Sequence, residues 1–289
     1  RTSMKHIASS ENTMIKKAMK LKQRKMREKE GLYFIEGLSL CREALAAAVN
    51  IDTLMIRESE YYSEKNGEYE DLLEQSSKAG IETVVVKDGL FNKLTNTETP
   101  QGIAAVAKCR YWDAGSFFAA DKSGGQGNIL VLDRIQDPGN AGTLLRTAEA
   151  VGCQGVLVVK GTVDLYSPKV VRAAAGSLFR LPLLFTADAQ ETVRLLHSRG
   201  KRVVAATPYC ENFHFQTRLD RNVAFVIGNE AGGVSADFLE MSDCQVKIPM
   251  CEPVESLNAA VAAGVIMYES LRQKIEREAE ENKRLCKQS

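Results

Sequence analysis

No apolar run in the 289-residue sequence approaches the length of about 18 residues that a membrane-spanning helix needs. There is no Cys-x-x-Cys pair, and the three histidines, His6, His197 and His214, are scattered, so a structural zinc site is not expected. Seven cysteines (Cys41, Cys109, Cys153, Cys210, Cys244, Cys251, Cys286) are an odd number without a pairing pattern; they read as reduced, mostly buried thiols of a cytoplasmic protein. The amino terminus has no apolar core followed by a cleavage site, so no secretory leader is expected; Arg1 to Ser3, ahead of Met4, are set aside. Net charge is almost absent, 38 Lys and Arg against 37 Asp and Glu, which speaks neither for nor against nucleic acid. No Gly-x-Gly-x-x-Gly follows the first strand of the second half, and no glycine-rich loop ends in Gly-Lys-Ser/Thr, which disfavours dinucleotide folds and P-loop enzymes.

What is present is the composition of an ordinary soluble protein, 44% hydrophobic and 26% charged, with a length that suits about two domains. The charge is unevenly spread. Residues 1–30 hold ten Lys or Arg against three Glu. Within them Ile15, Ala18, Met19 and Met26 suit an amphipathic helix with a basic outer face. Lys16, Lys17, Lys20, Lys22, Arg24 and Lys25 are therefore candidate RNA contacts, although a solvated basic helix explains them equally well.

Strands and helices alternate through residues 33–107, marking a small α/β domain over 1–108. Strands are expected at Tyr33–Gly37, Thr53–Arg57, Glu82–Val86 and Ile103–Ala107, with helices over 39–49 and 69–79. Residues 109–127, rich in Gly, Ser and Asp, read as a linker. Residues 128–289 then alternate again. Ile129–Asp133 is a continuous apolar run, the mark of a strand buried on both faces of a parallel sheet. Further strands are expected at 155–159, 181–185, 202–206, 224–228 and 245–249, and one long helix from Ser256 to about Arg284. The fold class is α/β, with a mostly parallel sheet in the second domain.

In such sheets ligands lie beyond the carboxyl ends of the strands, which directs attention to three loops. In Asp137-Pro-Gly-Asn140, Asn140 is placed to cap a helix on which Arg146 could pair with Glu149. In Gly228-Asn-Glu230-Ala-Gly-Gly, glycines permit close backbone approach and Glu230 projects from a strand end. In Ile248-Pro-Met through Ser256-Leu-Asn258, Ser256 could cap the last helix.

Singly these loops are ordinary. In series, Asn140-x5-Arg146, Val-Ile-Gly-Asn-Glu230-x-x-Gly and Ile-Pro-Met with Ser256-Leu-Asn258 resemble the three motifs of the SpoU/TrmH branch of the SPOUT RNA methyltransferases. The resemblance covers Ile129 to about Arg272. The amino-terminal part, with Phe34-Ile35-Glu36-Gly37 and Thr99-Pro-Gln-Gly102-Ile103, resembles the substrate-binding domain that often precedes it. It implies S-adenosylmethionine-dependent methylation of a ribose 2′-hydroxyl in structured RNA, ribosomal rather than transfer RNA, by a homodimer whose second domain contains a trefoil knot. By the same resemblance Thr207, Gly228, Ile248 and Leu257 would hold the cofactor, Arg146 would be the catalytic arginine, and Asn140, Glu230, Ser256 and Asn258 would fix Arg146, the loops and the ribose pocket; no metal is required. Two competing readings are a transfer-RNA methyltransferase and a catalytically silent RNA-binding ribosome-assembly factor on the same scaffold. A nicotinamide-dependent enzyme is disfavoured by the missing glycine fingerprint.

Overall fold

A computed structural model describes residues 4–63, 67–97 and 99–286; Arg1 to Ser3 lie outside it. The chain divides into two compact units, residues 1–110 with 164–180, and residues 111–163 with 181–289. Segment 164–180 belongs to the first unit although it lies far along the chain from residues 1–110.

The first unit holds a five-stranded sheet of β1 (Lys5–Ile7), β2 (Leu32–Glu36), β3 (Ile51–Arg57), β4 (Glu82–Val86) and β5 (Ile103–Lys108), in the order β1-β4-β3-β5-β2. β1, β4 and β3 run parallel, whereas β5 is antiparallel to both β3 and β2. The edge strand β1 has only three residues, too few for its alternation to be read from sequence.

The single basic helix expected near the amino terminus is two helices, Thr13–Lys20 and Arg24–Glu30. Arg27 supplies the reason for the break. Its side chain is only 5% exposed and donates to the carbonyls of Leu21 (2.7 Å) and Lys22 (3.0 Å), filling acceptors that a continuous helix would have used itself. The guanidinium then pairs with Asp164 at 2.7 Å.

The second unit is a six-stranded parallel sheet: β6 (Ile129–Asp133), β7 (Gly155–Val159), β8 (Leu183–Thr186), β9 (Arg202–Ala206), β10 (Val223–Gly228) and β11 (Cys244–Val246), ordered β11-β9-β10-β6-β7-β8. β6, β7 and β10 are buried along their whole length, as their unbroken apolar runs require. β11 is shorter than the expected 245–249, because Lys247 turns to pair with Phe213 and Pro249 has no N–H to continue a ladder. Among the described residues no helix is long and apolar enough to cross a membrane.

The segment read as a linker contains a helix, Ala114–Ala119, started by Asp113, whose carboxylate accepts from Ser116 N at 2.7 Å. Phe117 on that helix is fully buried with Leu157, Leu184 and Val203. A Cβ on Gly155 would stand 2.5 Å from its ring, so glycine at the start of β7 makes room for it. Phe117→Ala should therefore cost about 3–5 kcal/mol of stability, the range for a buried aromatic, measured by denaturant unfolding. A loss near zero would mean that the segment is a linker after all.

Candidate active site

The carboxyl ends of β6, β9, β10 and β11 gather all three loops singled out above. The first begins with a helix, Pro138–Ala150, capped by Asp137, whose Oδ1 accepts from Asn140 N at 2.7 Å. The cap is therefore Asp137 and not Asn140; proline at the first helical position was the legible signal. The last helix runs Ala259–Cys286 and is capped by Asn258, whose Oδ1 accepts from Ala260 N (2.9 Å) and Val261 N (3.2 Å). Ser256 does not cap it, since residues 255–258 are not helical.

Relieved of capping, Asn140 joins the loops. Its amide Nδ2 donates to Glu230 Oε1 at 3.2 Å, and its Oδ1 accepts from Asn258 Nδ2 at 2.9 Å. Glu230 also accepts from the backbone N–H of Gln136 through Oε2 and of Asp137 through Oε1, both at 3.0 Å. Partial burial pushes the Glu230 carboxyl upward, but these two amides and Asn140 outweigh it and hold the group below the ordinary carboxylate range. A carboxylate so engaged serves as an anchor and not as a proton acceptor.

Asn229 does a second job that the sequence did not disclose. Its Oδ1 accepts from Ala231 N and Gly232 N, and its Nδ2 donates to Arg134 O, which folds the 229–233 loop back on itself. Behind it Asp133, buried at the end of β6, accepts from Ser235 N at 2.7 Å. Gly228 must be glycine, because a Cβ there would overlap the backbone of Gly233 and Val234.

Beside this junction lies a cavity of about 420 Å³ between the ends of β9, β10 and β11. Thr207, Gly228, Ile248 and Leu257, the expected cofactor residues, all line it, as do Glu230 and Ser256. Tyr209 and Lys247 also line it and were not anticipated. Its walls mix apolar side chains such as Val234, Leu239 and Ile266 with the glycines of the 228–233 turn. Among the described residues no three His, Cys, Asp or Glu side chains gather where they could hold a metal ion.

Arg146 is exposed on the 138–150 helix and makes no hydrogen bond or ion pair with a described residue, so the expected contacts with Glu149, Asn140 and Glu230 are not formed. Of the six basic candidates in the first unit, Lys16 pairs with Glu11 (2.5 Å), Lys17 with Asp52 (3.9 Å) and Arg24 with Glu28 (2.7 Å). Lys22 donates to the carbonyls of Lys93 and Thr95, whereas Lys20 and Lys25 point to solvent.

Two outcomes follow from the junction. Gly228→Ala should abolish cofactor binding by forcing the 229–234 loop out of place, read by calorimetric titration against wild type; retained affinity would contradict the overlap. Glu230 has a lowered folded value, so its contribution to stability is complete above the ordinary value near 4.5 and is lost as pH falls through the folded value. Wild type should thus exceed Glu230→Gln in thermal midpoint at neutral pH, and the difference should vanish on acidification; a difference that grows at low pH would contradict the anchor.

Residues 127–268 match the SpoU rRNA methylase family, and residues 12–105 match the MRM3-like substrate-binding domain. The chain is 31% identical over 265 residues to the 23S rRNA (guanosine(2553)-2'-O)-methyltransferase RlmP of Bacillus subtilis, covering 92% of this chain and 98% of the relative. Its fold is similar to that of an AdoMet-bound rRNA methyltransferase from Sinorhizobium meliloti, with a TM-score of 0.81 and 27% identity over 93% of this chain and 98% of the other. It is likewise similar to AviRb, a SpoU methyltransferase from Streptomyces viridochromogenes in complex with AdoMet, with a TM-score of 0.76 and 26% identity over 91% and 98% of the two chains. The chain belongs to the SpoU rRNA methylase family.

Proposed function

We propose that this protein transfers a methyl group from S-adenosylmethionine to a ribose 2′-hydroxyl of ribosomal RNA. The observation that carries the reading is the Glu230–Asn140–Asn258 chain of hydrogen bonds, set at the mouth of a cavity lined by Thr207, Gly228, Ile248 and Leu257. The cavity fits the cofactor in size and lining, with loop backbone brought close where Gly228 lacks a Cβ. When bound there, S-adenosylmethionine supplies an electrophilic sulfonium methyl. The ribosomal RNA named for its relatives supports the choice of substrate.

The protein's share of the chemistry is positioning. A guanidinium is a lasting cation, so the role of Arg146 is to bind the phosphate next to the reacting ribose and to stabilise charge developing on the 2′-oxygen, while the hydroxyl proton passes to solvent. With no hydrogen-bond or ion-pair partner among the described residues, its exposed guanidinium is available for that anion. Glu230 and Asn140 hold the two segments between which the ribose would enter, with Asn258 tied to Asn140 and Ser256 on the cavity wall beside them.

The first unit serves as the RNA-binding part and the second as the methyltransferase part, with Lys20 and Lys25 among the phosphate contacts and Lys16, Lys17, Lys22 and Arg24 adding to the field. The working form is a homodimer. Val261, Val265 and Tyr268, spaced four and three residues apart on one face of the last helix, are 54%, 37% and 52% exposed, an apolar stripe that a second copy would cover. The trefoil knot implied by the family resemblance lies in the second unit, and the cytoplasm is the compartment. Burial pushes the Cys41 and Cys153 thiols up to about 12, so both are inert packing groups, as expected of structural thiols kept reduced.

Arg146→Ala should lower methyl transfer to ribosomal RNA by about a hundredfold or more, with cofactor affinity unchanged, measured with methyl-labelled S-adenosylmethionine. Undiminished turnover would overturn the role given to Arg146.

A further inference from the structure

Tyr209 and Lys247 line the cofactor cavity, yet the hydrogen-bond junction beside it uses neither. Tyr209 lies in the segment that leaves β9 and crosses to β10, and that segment is fastened before any ligand arrives. Tyr209 N donates to Thr207 Oγ1 at 3.3 Å, and Cys210 Sγ donates to Thr207 O at 3.5 Å. Asn212 Nδ2 donates to Gln245 O (3.3 Å), Lys247 N to Asn212 O (2.9 Å) and His214 N to Lys247 O (3.0 Å). Residues 207–214 are thus laced to the end of β11, which fixes where Tyr209 leaves the chain.

The aromatic side chains of this segment differ in what covers them. Phe215 lies parallel to Phe213, with ring centroids 5.3 Å apart and planes 7° apart, and His214 meets Phe215 edge-on at 5.2 Å. Lys247 Nζ stands 5.1 Å over the Phe213 ring. Tyr209 has no ring or cation against it among the described residues, and it is 92% exposed. Among the described residues lining the cavity it is also the one aromatic side chain. Val234 and Ile266 are buried and wall the cavity on its enclosed side, so the Tyr209 ring stands at the rim, outside the volume a cofactor would fill. Glu211 in the same segment is exposed and offsets Lys247, so the rim offers ring surface and not net charge.

We propose that the Tyr209 ring is the stacking surface for the base of the nucleotide whose ribose is methylated. A ribose placed at the mouth of the cavity brings its own base to the rim, and a base drawn out of an RNA helix is held by stacking on an exposed aromatic face. Such a contact orients the nucleotide without touching its phosphates, so it complements the contact given to Arg146. The inference rests on the ribosomal RNA reading above.

The test uses the full chain with unmodified ribosomal RNA in filter-binding titrations over a range of salt, with cofactor affinity and sedimentation measured alongside. Tyr209→Ala should weaken RNA binding roughly tenfold at every salt concentration, since a stacking contact releases no counterions, and Tyr209→Phe should restore it. Cofactor affinity and oligomeric state should match wild type in both. Once the methylated position is mapped, a ribosomal RNA fragment lacking the base at that position should bind wild type with the same loss, and Tyr209→Ala should add nothing to it. Wild-type RNA affinity in Tyr209→Ala, or losses that add, with methyl transfer intact, would overturn the stacking role and leave the proposed function standing. A drop in cofactor affinity would instead assign the ring to the adenine of S-adenosylmethionine, and a changed oligomeric state would assign it to a second copy; either would overturn the inference. A wild-type protein that binds cofactor but no ribosomal RNA would overturn both readings.

Discussion

The hydrogen-bond chain from Glu230 through Asn140 to Asn258 is the constraint on which the catalytic end of the molecule depends. Glu230 follows β10, Asn140 lies in the first turn of the 138–150 helix, and Asn258 stands just ahead of the last helix. Glu230 brings the N–H groups of Gln136 and Asp137 under one carboxylate. Asn140 relays that anchor to Asn258, and Asn258 spends its carbonyl oxygen on the first turn of the 28-residue closing helix. Loss of one link frees the other two segments from each other, because each contact joins residues 90 or more positions apart in the chain. The cavity beside them depends on the same arrangement, because Glu230 and the 228–234 turn form part of its wall.

The first unit is organised by the same principle with different residues. Arg27 satisfies the carbonyls left open where the first helix ends and reaches Asp164, and Glu36 satisfies the amide and hydroxyl of the 96–97 turn. In both units a charged side chain that is at least partly withdrawn from solvent ends a helix or gathers a loop through hydrogen bonds. The basic residues of the amino terminus are thus divided: Arg27 and Lys22 are spent on the fold, while Lys20 and Lys25 are exposed.

The parallel sheet was legible because Ile129–Asp133, Gly155–Val159 and Val223–Gly228 are unbroken apolar runs, a signal that survives without tertiary context. The three loops stood out only as a series; each alone looked like capping or a turn. Two caps were misplaced for one reason. Asn140 and Ser256 are good caps by type, but Asp137 and Asn258 stand where the helices begin, and only the fold decides which side chain meets the free N–H groups. The helix at Ala114–Ala119 was hidden by glycine and serine around a single decisive residue, Phe117, and the break in the basic helix by an arginine whose partner, Asp164, lies far along the chain.

Identification of the methylated nucleoside tests the account most directly. Ribosomal RNA incubated with the protein and labelled S-adenosylmethionine would be digested to nucleosides and resolved by mass spectrometry. The account predicts label in a single 2′-O-methylated nucleoside, its fragment mass placing the methyl on the sugar. Label on a base, or a cofactor-loaded protein that leaves ribosomal RNA unlabelled, would contradict it.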